Sequence, residues 1–435
     1  MIPRLDARAA GVDAVVRTLA RHPETVAPEL LRQVEEILAA VRERGDVALL
    51  EYAARFDGYR GGAAGLRVTE VEWRAERQVS EETRAALAYA AARIERYHKE
   101  AAPRSWRMTD EHGSVLGQEV RPLERVGIYI PGGRAAYPST VLMTAVPARV
   151  AGVREVVLVT PPAPDGSIPP VVLAAARLAG VTEAYRVGGA QAIAALAYGT
   201  ATIRRVDKIV GPGNIYVALA KQRVFGRVGI DMVAGPSEVV VVADGSATPA
   251  WVAADLLAQA EHDPMARAIL ITDAAPLLDA VAAAVEAQLS ALPRREIARA
   301  SLAGNGALVV AADAVQAIEI ANALAPEHLE LQVVDPERLL PHVRHAGAIF
   351  LGRFTPEVVG DYVAGPSHVL PTAGTARFSS PLGTEDFVKR SSVIGYSARG
   401  LAAALPAVRA LTQAEGLYAH GAAAAIRLPE RGDNP

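Results

Sequence analysis

Val126-Gly-Ile-Tyr-Ile-Pro-Gly-Gly133 is a short apolar run that ends in a proline–glycine turn, and an apolar helical stretch follows near 141–151. The rhythm returns three times. Glu155-Val-Val-Leu-Val-Thr160 precedes a helix at 170–179, Ala184-Tyr-Arg-Val-Gly-Gly189 one at 190–197, and Asp207-Lys-Ile-Val-Gly-Pro-Gly-Asn214 one at 215–223. Runs this short and apolar read as strands covered on both faces. Parallel strands need a crossover between them, so strand, tight turn and helix in repetition predict a parallel sheet.

A second block of the same kind follows. Strands are expected at 238–243, 268–272, 306–311, 329–334 and 347–351, with helices at 249–262, 274–290 and 314–323. Thr248 is placed to cap the first of these helices, with Pro249 at its start. Upstream, residues 1 to about 105 read as helical, most clearly over 29–44 and 81–100, where apolar residues recur at helical spacing. Residues 353–383 are rich in Gly, Pro, Ser and Thr and read as a long loop, a length that usually has a function. From Glu385 onward a short helical tail is expected, with 429–435 frayed. The whole is an α/β chain of two units in tandem.

Composition narrows the chemistry. A net charge of -3 over 435 residues, without a basic tract, gives no electrostatic reason to expect nucleic acid. The N-terminus carries charges where a secretion signal needs an apolar run, and the longest apolar region, 268–289, is broken by Asp273, Asp279 and Glu286. A cytoplasmic location fits. The absence of cysteine excludes disulfides, thiolate metal sites and cysteine nucleophiles together.

Several polar groups could carry chemistry. In Leu257-Ala-Gln259-Ala-Glu-His262-Asp-Pro264, Gln259 and His262 share a helical face, and the proline places them at the helix's C-terminal end. They are either the polar side of an amphipathic helix or part of an oxygen–nitrogen metal site. Ala325-Pro-Glu327-His328-Leu-Glu-Leu331 sets a carboxylate beside an imidazole. If a strand starts here the two cannot face one way; from a turn they could flank one substrate as acid and base. The alternative is a solvated strand entry. Asp361 and His368 lie among glycines, which allow a close approach of backbone to a ligand, and Glu415 and His420 lie near the chain end, where either could be a surface group. His22, His98, His112, His342 and His345 read as structural. The turns at Pro131-Gly-Gly133, Gly188-Gly-Ala-Gln191 and Gly211-Pro-Gly-Asn214 could cradle phosphates, although no strand is followed by the dinucleotide fingerprint G-x-G-x-x-G and no P-loop occurs.

Taken together, eight segments resemble the histidinol dehydrogenase family over nearly the full length. They are Tyr129-Ile-Pro-Gly-Gly133, Val187-Gly-Gly-Ala-Gln-Ala-Ile-Ala194, Lys208-Ile-Val-Gly-Pro-Gly-Asn214, Asp231-Met-Val-Ala-Gly-Pro-Ser-Glu238, Ala258-Gln-Ala-Glu-His-Asp-Pro264, Ala325-Pro-Glu-His-Leu-Glu330, Gly365-Pro-Ser-His-Val-Leu-Pro371 and Ala414-Glu-Gly-Leu-Tyr-Ala-His420. The resemblance implies a homodimer with one zinc ion per subunit that oxidises L-histidinol to L-histidine with two NAD+, by way of L-histidinal. It implies Gln259, His262, Asp361 and His420 as zinc ligands and Glu327 and His328 as the acid/base pair. Ser237, Gln259, His262, His328, Asp361, Glu415 and His420 would contact substrate, and Tyr129, Gln191 and Asn214 would contact NAD.

For the fold, the resemblance implies two incomplete Rossmann-like units, one inserted in the other. The expected divisions are a helical arm over 1–25, a main unit of 26–130 plus 239–381, an inserted cofactor unit of 131–238, and a C-terminal tail domain of 382–435. That tail would cross to the partner, so His420 and Glu415 would complete the neighbouring site. Without a cysteine, the second oxidation would proceed through water added to the aldehyde, with Glu327 as its base. The rival within the class is a paralogue acting on another small polar alcohol, such as a sulfonated diol; Glu415 suits a cationic amine better. A zinc hydrolase would leave the glycine turns unexplained, and a silent binding protein would leave Glu327 and His328 unexplained.

Overall fold

The computed structural model describes residues 2–20, 27–132 and 136–428. His22, Gly133 and the tail 429–435 lie outside the described residues. The strands, in chain order, are β1 (Arg4–Asp6), β2 (Trp106–Thr109), β3 (Val115–Pro122), β4 (Arg125–Tyr129), β5 (Glu155–Thr160), β6 (Glu183–Arg186), β7 (Lys208–Val210), β8 (Gly229–Ile230), β9 (Glu238–Ala243), β10 (Arg267–Thr272), β11 (Ala307–Val310), β12 (His328–Gln332), β13 (Ala348–Leu351) and β14 (Val388–Gly395).

Two compact units divide the chain: residues 1–101 with 123–387, and residues 102–122 with 388–435. The larger contains two all-parallel sheets. One has the order β6-β5-β4-β7-β8 and the other β1-β11-β10-β9-β12-β13. Alternate residues of each strand feed opposite faces. Val126, Ile128, Val156 and Leu158 pack under the helices Glu81–Glu100, Pro138–Ala151 and Pro170–Ala179. Tyr129, Val157, Val159 and Ile209 pack under Pro28–Arg44, Asp46–Phe56, Gly189–Tyr198 and Ile215–Val224. The six-stranded sheet divides likewise: Val239, Val241 and Leu270 face the helices Pro249–Ala260 and Ala275–Leu289, while Val240, Val242 and Ile271 face Ala314–Leu324. Burial on both faces is why these strands are continuously apolar.

The parallel α/β character is as expected from the sequence, and four details correct the expectation. First, Arg4–Asp6 is not helical but forms the edge strand beside β11. Second, the helices between 28 and 100, expected with the unit that contains 239–381, cover the five-stranded sheet instead. Third, a helix at Arg295–Asn305 had no counterpart in the sequence reading, and Thr248 sits at the helix start without a side-chain cap. Fourth, the C-terminal segment opens with strand β14. It pairs antiparallel with β3, which pairs with β2, so the smaller unit is a three-stranded sheet that recruits 102–122, followed by the helices Ala398–Ala414 and Tyr418–Ala425.

Candidate active site

Helix Pro249–Ala260 leaves the carboxyl end of β9 and returns to the amino end of β10. Its last turn therefore delivers Gln259, and the turn beyond it His262, to the amino ends of the six-stranded sheet. Glu238, Arg267 and His328 open β9, β10 and β12 at that same edge. This is opposite to the carboxyl edge where parallel sheets usually bind ligands.

Glu327 and His328 converge on one residue, although they face different ways along the chain. Both reach the peptide of Glu238: Glu238 N–H donates to Glu327 Oε2 at 2.9 Å, and His328 Nδ1 lies 3.0 Å from the Glu238 carbonyl. The expected conflict dissolves because Glu327 lies just before the strand and only His328 within it. A carbonyl only accepts, so His328 Nδ1 must carry the proton and Nε2 the lone pair. Nε2 is buried without a hydrogen-bond partner among the described residues and lies 3.8 Å from Asp361 Oδ1. Burial lowers the pKa of His328 and so keeps it neutral. Burial, then the nearby charges of Glu238 and Asp361, hold Glu327 well above the usual carboxylate range, against the Glu238 N–H bond.

The segment read as a loop contains the short helix Glu357–Tyr362, which puts Glu357 and Asp361 one turn apart on one face. His262, Glu357 and Asp361 offer ligand atoms all within 4.8 Å of one another. Gln259 is fully buried, and its amide nitrogen donates to the two Glu357 oxygens at 3.1 and 3.3 Å, leaving the amide oxygen for a cation. Imidazole, carboxylate and amide oxygen form a donor set that fits zinc with coordination positions left open. Glu357 was missed in the sequence; its spacing four before Asp361 was the available signal. Beneath it, Gln332 Nε2 bridges Asp255 Oδ2 (2.5 Å) and Glu330 Oε2 (2.8 Å), and Glu330 Oε1 accepts from Glu357 N–H at 2.8 Å. His368 donates from Nδ1 to the Asp361 carbonyl at 2.9 Å and meets Thr140 Oγ1 at 3.2 Å. Ser237 lies just before β9, next to Glu238. Glu415 and His420 are both exposed and belong to the smaller unit.

Tyr129, Gln191 and Asn214 gather at the carboxyl ends of β4, β6 and β7. Tyr129 accepts a bond from Gly189 N–H at 3.1 Å, Gln191 donates to Asp57 at 3.1 Å, and Asn214 caps the helix Ile215–Val224 through Val217 N–H. The backbone of Gly211 adopts φ +109°, where an added Cβ would lie 2.3 Å from the Tyr129 carbonyl. Only glycine permits that approach.

Two parallel α/β sheets, one with an imidazole–carboxylate cluster at its amino edge and the other with glycine turns at its carboxyl edge, are the frame of an α/β enzyme. The comparisons with known proteins specify which. Residues 20–428 match the family model described as histidinol dehydrogenase. The histidinol dehydrogenase of Syntrophotalea carbinolica is 55% identical over 96% of this chain and 97% of its own length. That of Geobacter sulfurreducens is 54% identical over 98% and 99%. The crystal structure of histidinol dehydrogenase from Elizabethkingia anophelis superposes with a TM-score of 0.93 at 37% identity, covering 98% of both chains. The chain belongs to the histidinol dehydrogenase family, whose members are NAD-dependent oxidoreductases.

Proposed function

We propose that this chain oxidises L-histidinol to L-histidine through L-histidinal, passing two hydrides to two NAD+, as the last step of histidine biosynthesis. The observation that carries the reading is the buried His328 imidazole: its Nε2 has no hydrogen-bond partner among the described residues and lies 3.8 Å from Asp361 Oδ1, while Glu327 lies 3.7 Å from its Nδ1. Gln259, His262 and Asp361, with His420 of a second copy, would hold a zinc ion. That ion supplies a fixed positive charge and Lewis acidity for the imidazole and amine of the substrate.

His328 Nε2 takes the hydroxyl proton as the first hydride leaves for NAD+. Glu327 then takes a proton from water as its oxygen adds to the aldehyde, and His328 returns its proton to the former carbonyl oxygen, giving a hydrate and a neutral imidazole. His328 takes a hydroxyl proton of this hydrate as the second hydride leaves. Burial raises the proton affinity of the Glu327 carboxylate, which strengthens it as a base for this step. Ser237 and Glu415 would contact substrate, and Tyr129, Gln191 and Asn214 would contact NAD+. Strands β4–β8 form one incomplete Rossmann-like unit, inserted between β1 and β9 of the other. The smaller unit reaches across a homodimer.

The test is product stoichiometry. Two NADH per histidinol are expected, falling to none after chelation and returning with zinc. The Glu327→Gln variant should lose about 10²- to 10⁴-fold in histidinal oxidation. One NADH per histidinol, or a variant that oxidises histidinal at the parental rate, would sink the reading.

A further inference from the structure

Asp57 ends the helix Asp46–Phe56, far in sequence from any group discussed above, yet its carboxylate is inserted at the start of the helix Gly189–Tyr198. Its Oδ2 accepts from Gly188 N–H at 3.0 Å and from Gln191 Nε2 at 3.1 Å. The next backbone N–H, that of Gly189, donates to the Tyr129 hydroxyl. The opening of this helix is thus closed by two protein oxygens rather than left bare for an anion.

A carboxylate can only accept from these donors, so the Gln191 amide has one permitted orientation: nitrogen to Asp57, oxygen outward. A second feature agrees. Gly189 has φ +63°, and a Cβ there would lie 2.6 Å from Gln191 Oε1, so the amide oxygen rests against a bare Cα. Gln191 itself is buried, which leaves it little freedom to turn.

We propose that Asp57 is a positioning residue for the cofactor. It fixes Gln191 as an acceptor, and Gln191 therefore recognises a hydrogen-bond donor of the dinucleotide, an amide, amine or hydroxyl group, and not a phosphate. This rests on the reading that Gln191 and Tyr129 meet NAD+. Without the carboxylate the amide can reverse and present its nitrogen, which places donor against donor.

The test uses the full-length, zinc-loaded protein. Asp57→Asn should raise the Kd for NAD+ about tenfold, the size of one well-made hydrogen bond. Zinc content and the Kd for histidinol should stay parental. An unchanged NAD+ Kd in a variant that melts like the parent overturns the proposal. If the variant melts lower, the exchanged pair Asp57→Asn with Gln191→Glu decides. It restores one amide and one carboxylate in contact and should recover NAD+ binding to within about threefold of the parent. A double variant no better than the single one overturns the proposal. Gln191→Ala separates the two levels. An unchanged NAD+ Kd there removes the cofactor reading itself, whereas a weakened one beside a parental Asp57→Asn removes only the role of Asp57.

Discussion

Two buried histidines in this chain have opposite meanings, and their neighbours decide which. His328 has one nitrogen anchored to a carbonyl, so its tautomer is set and its free lone pair has a direction. His98, on the helix Glu81–Glu100, is as deeply buried, but neither nitrogen finds a partner among the described residues. Desolvation alone pushes its pKa down to about 4 from an ordinary 6.5. Between those two pH values the unfolded chain takes up a proton that the folded chain refuses, so stability is lost as pH falls from 6.5 toward 4. The loss amounts to about 2–3 kcal/mol once pH reaches 4. The variant His98→Phe should flatten this acid limb. Urea midpoints at pH 7 and pH 4.5, taken on both proteins, check it; parallel losses in parent and variant would acquit His98. In the sequence His328 was marked by the carboxylate beside it, whereas His98 carried no such mark. His98 read as an ordinary polar helical residue because Arg96, Lys99 and Glu100 surround it along the chain, although its spacing from Leu87, Ala91 and Ile94 puts it on the buried face.

At the scale of elements, the helix Glu357–Tyr362 does most to assemble the cluster, and it was the least legible. Its six residues lie within a Gly- and Pro-rich stretch, too short for periodicity to register. What starts it is tertiary: the N–H of Glu357 donates to the buried Glu330 of β12. The three-residue β1 was hidden for the same reason, since its place beside β11 is a long-range pairing. The helices between 28 and 100 were legible as helices, but an apolar stripe does not say which sheet it will cover. By contrast, the strands of both sheets other than β1 and β8, and the turn after Gln259, were readable, because burial on two faces and a following proline leave local marks. Within the short helix, Gly360 gives a handle. A Cβ there would come within 2.6 Å of the Phe350 ring, which itself tilts against His328. Gly360→Ala should therefore displace Asp361, one residue on. A zinc affinity about tenfold weaker is expected by competition with a chromogenic chelator, in the range seen when groups supporting metal ligands are disturbed. Parental affinity would show that the ring yields without moving the helix.

At the scale of the whole molecule, the proposed zinc set of Gln259, His262, Asp361 and a second copy's His420 draws one ligand from another subunit. His262, Glu357 and Asp361 converge within the larger unit, whereas Glu415 and His420 are exposed on the smaller one. If sites are shared across a two-fold dimer, damage can be sorted between copies. Glu327→Gln disables the site on its own subunit, and His420→Ala disables the site on the other. In a mixed dimer one site inherits both lesions and the other inherits neither. Each variant alone should form almost no histidine. Unfolding and refolding an equal mixture gives half mixed dimers, each with one intact site, so activity should return to about a quarter of the parental level. If His420 served the site of its own chain, every site in the mixture would carry one lesion, and mixing would restore nothing.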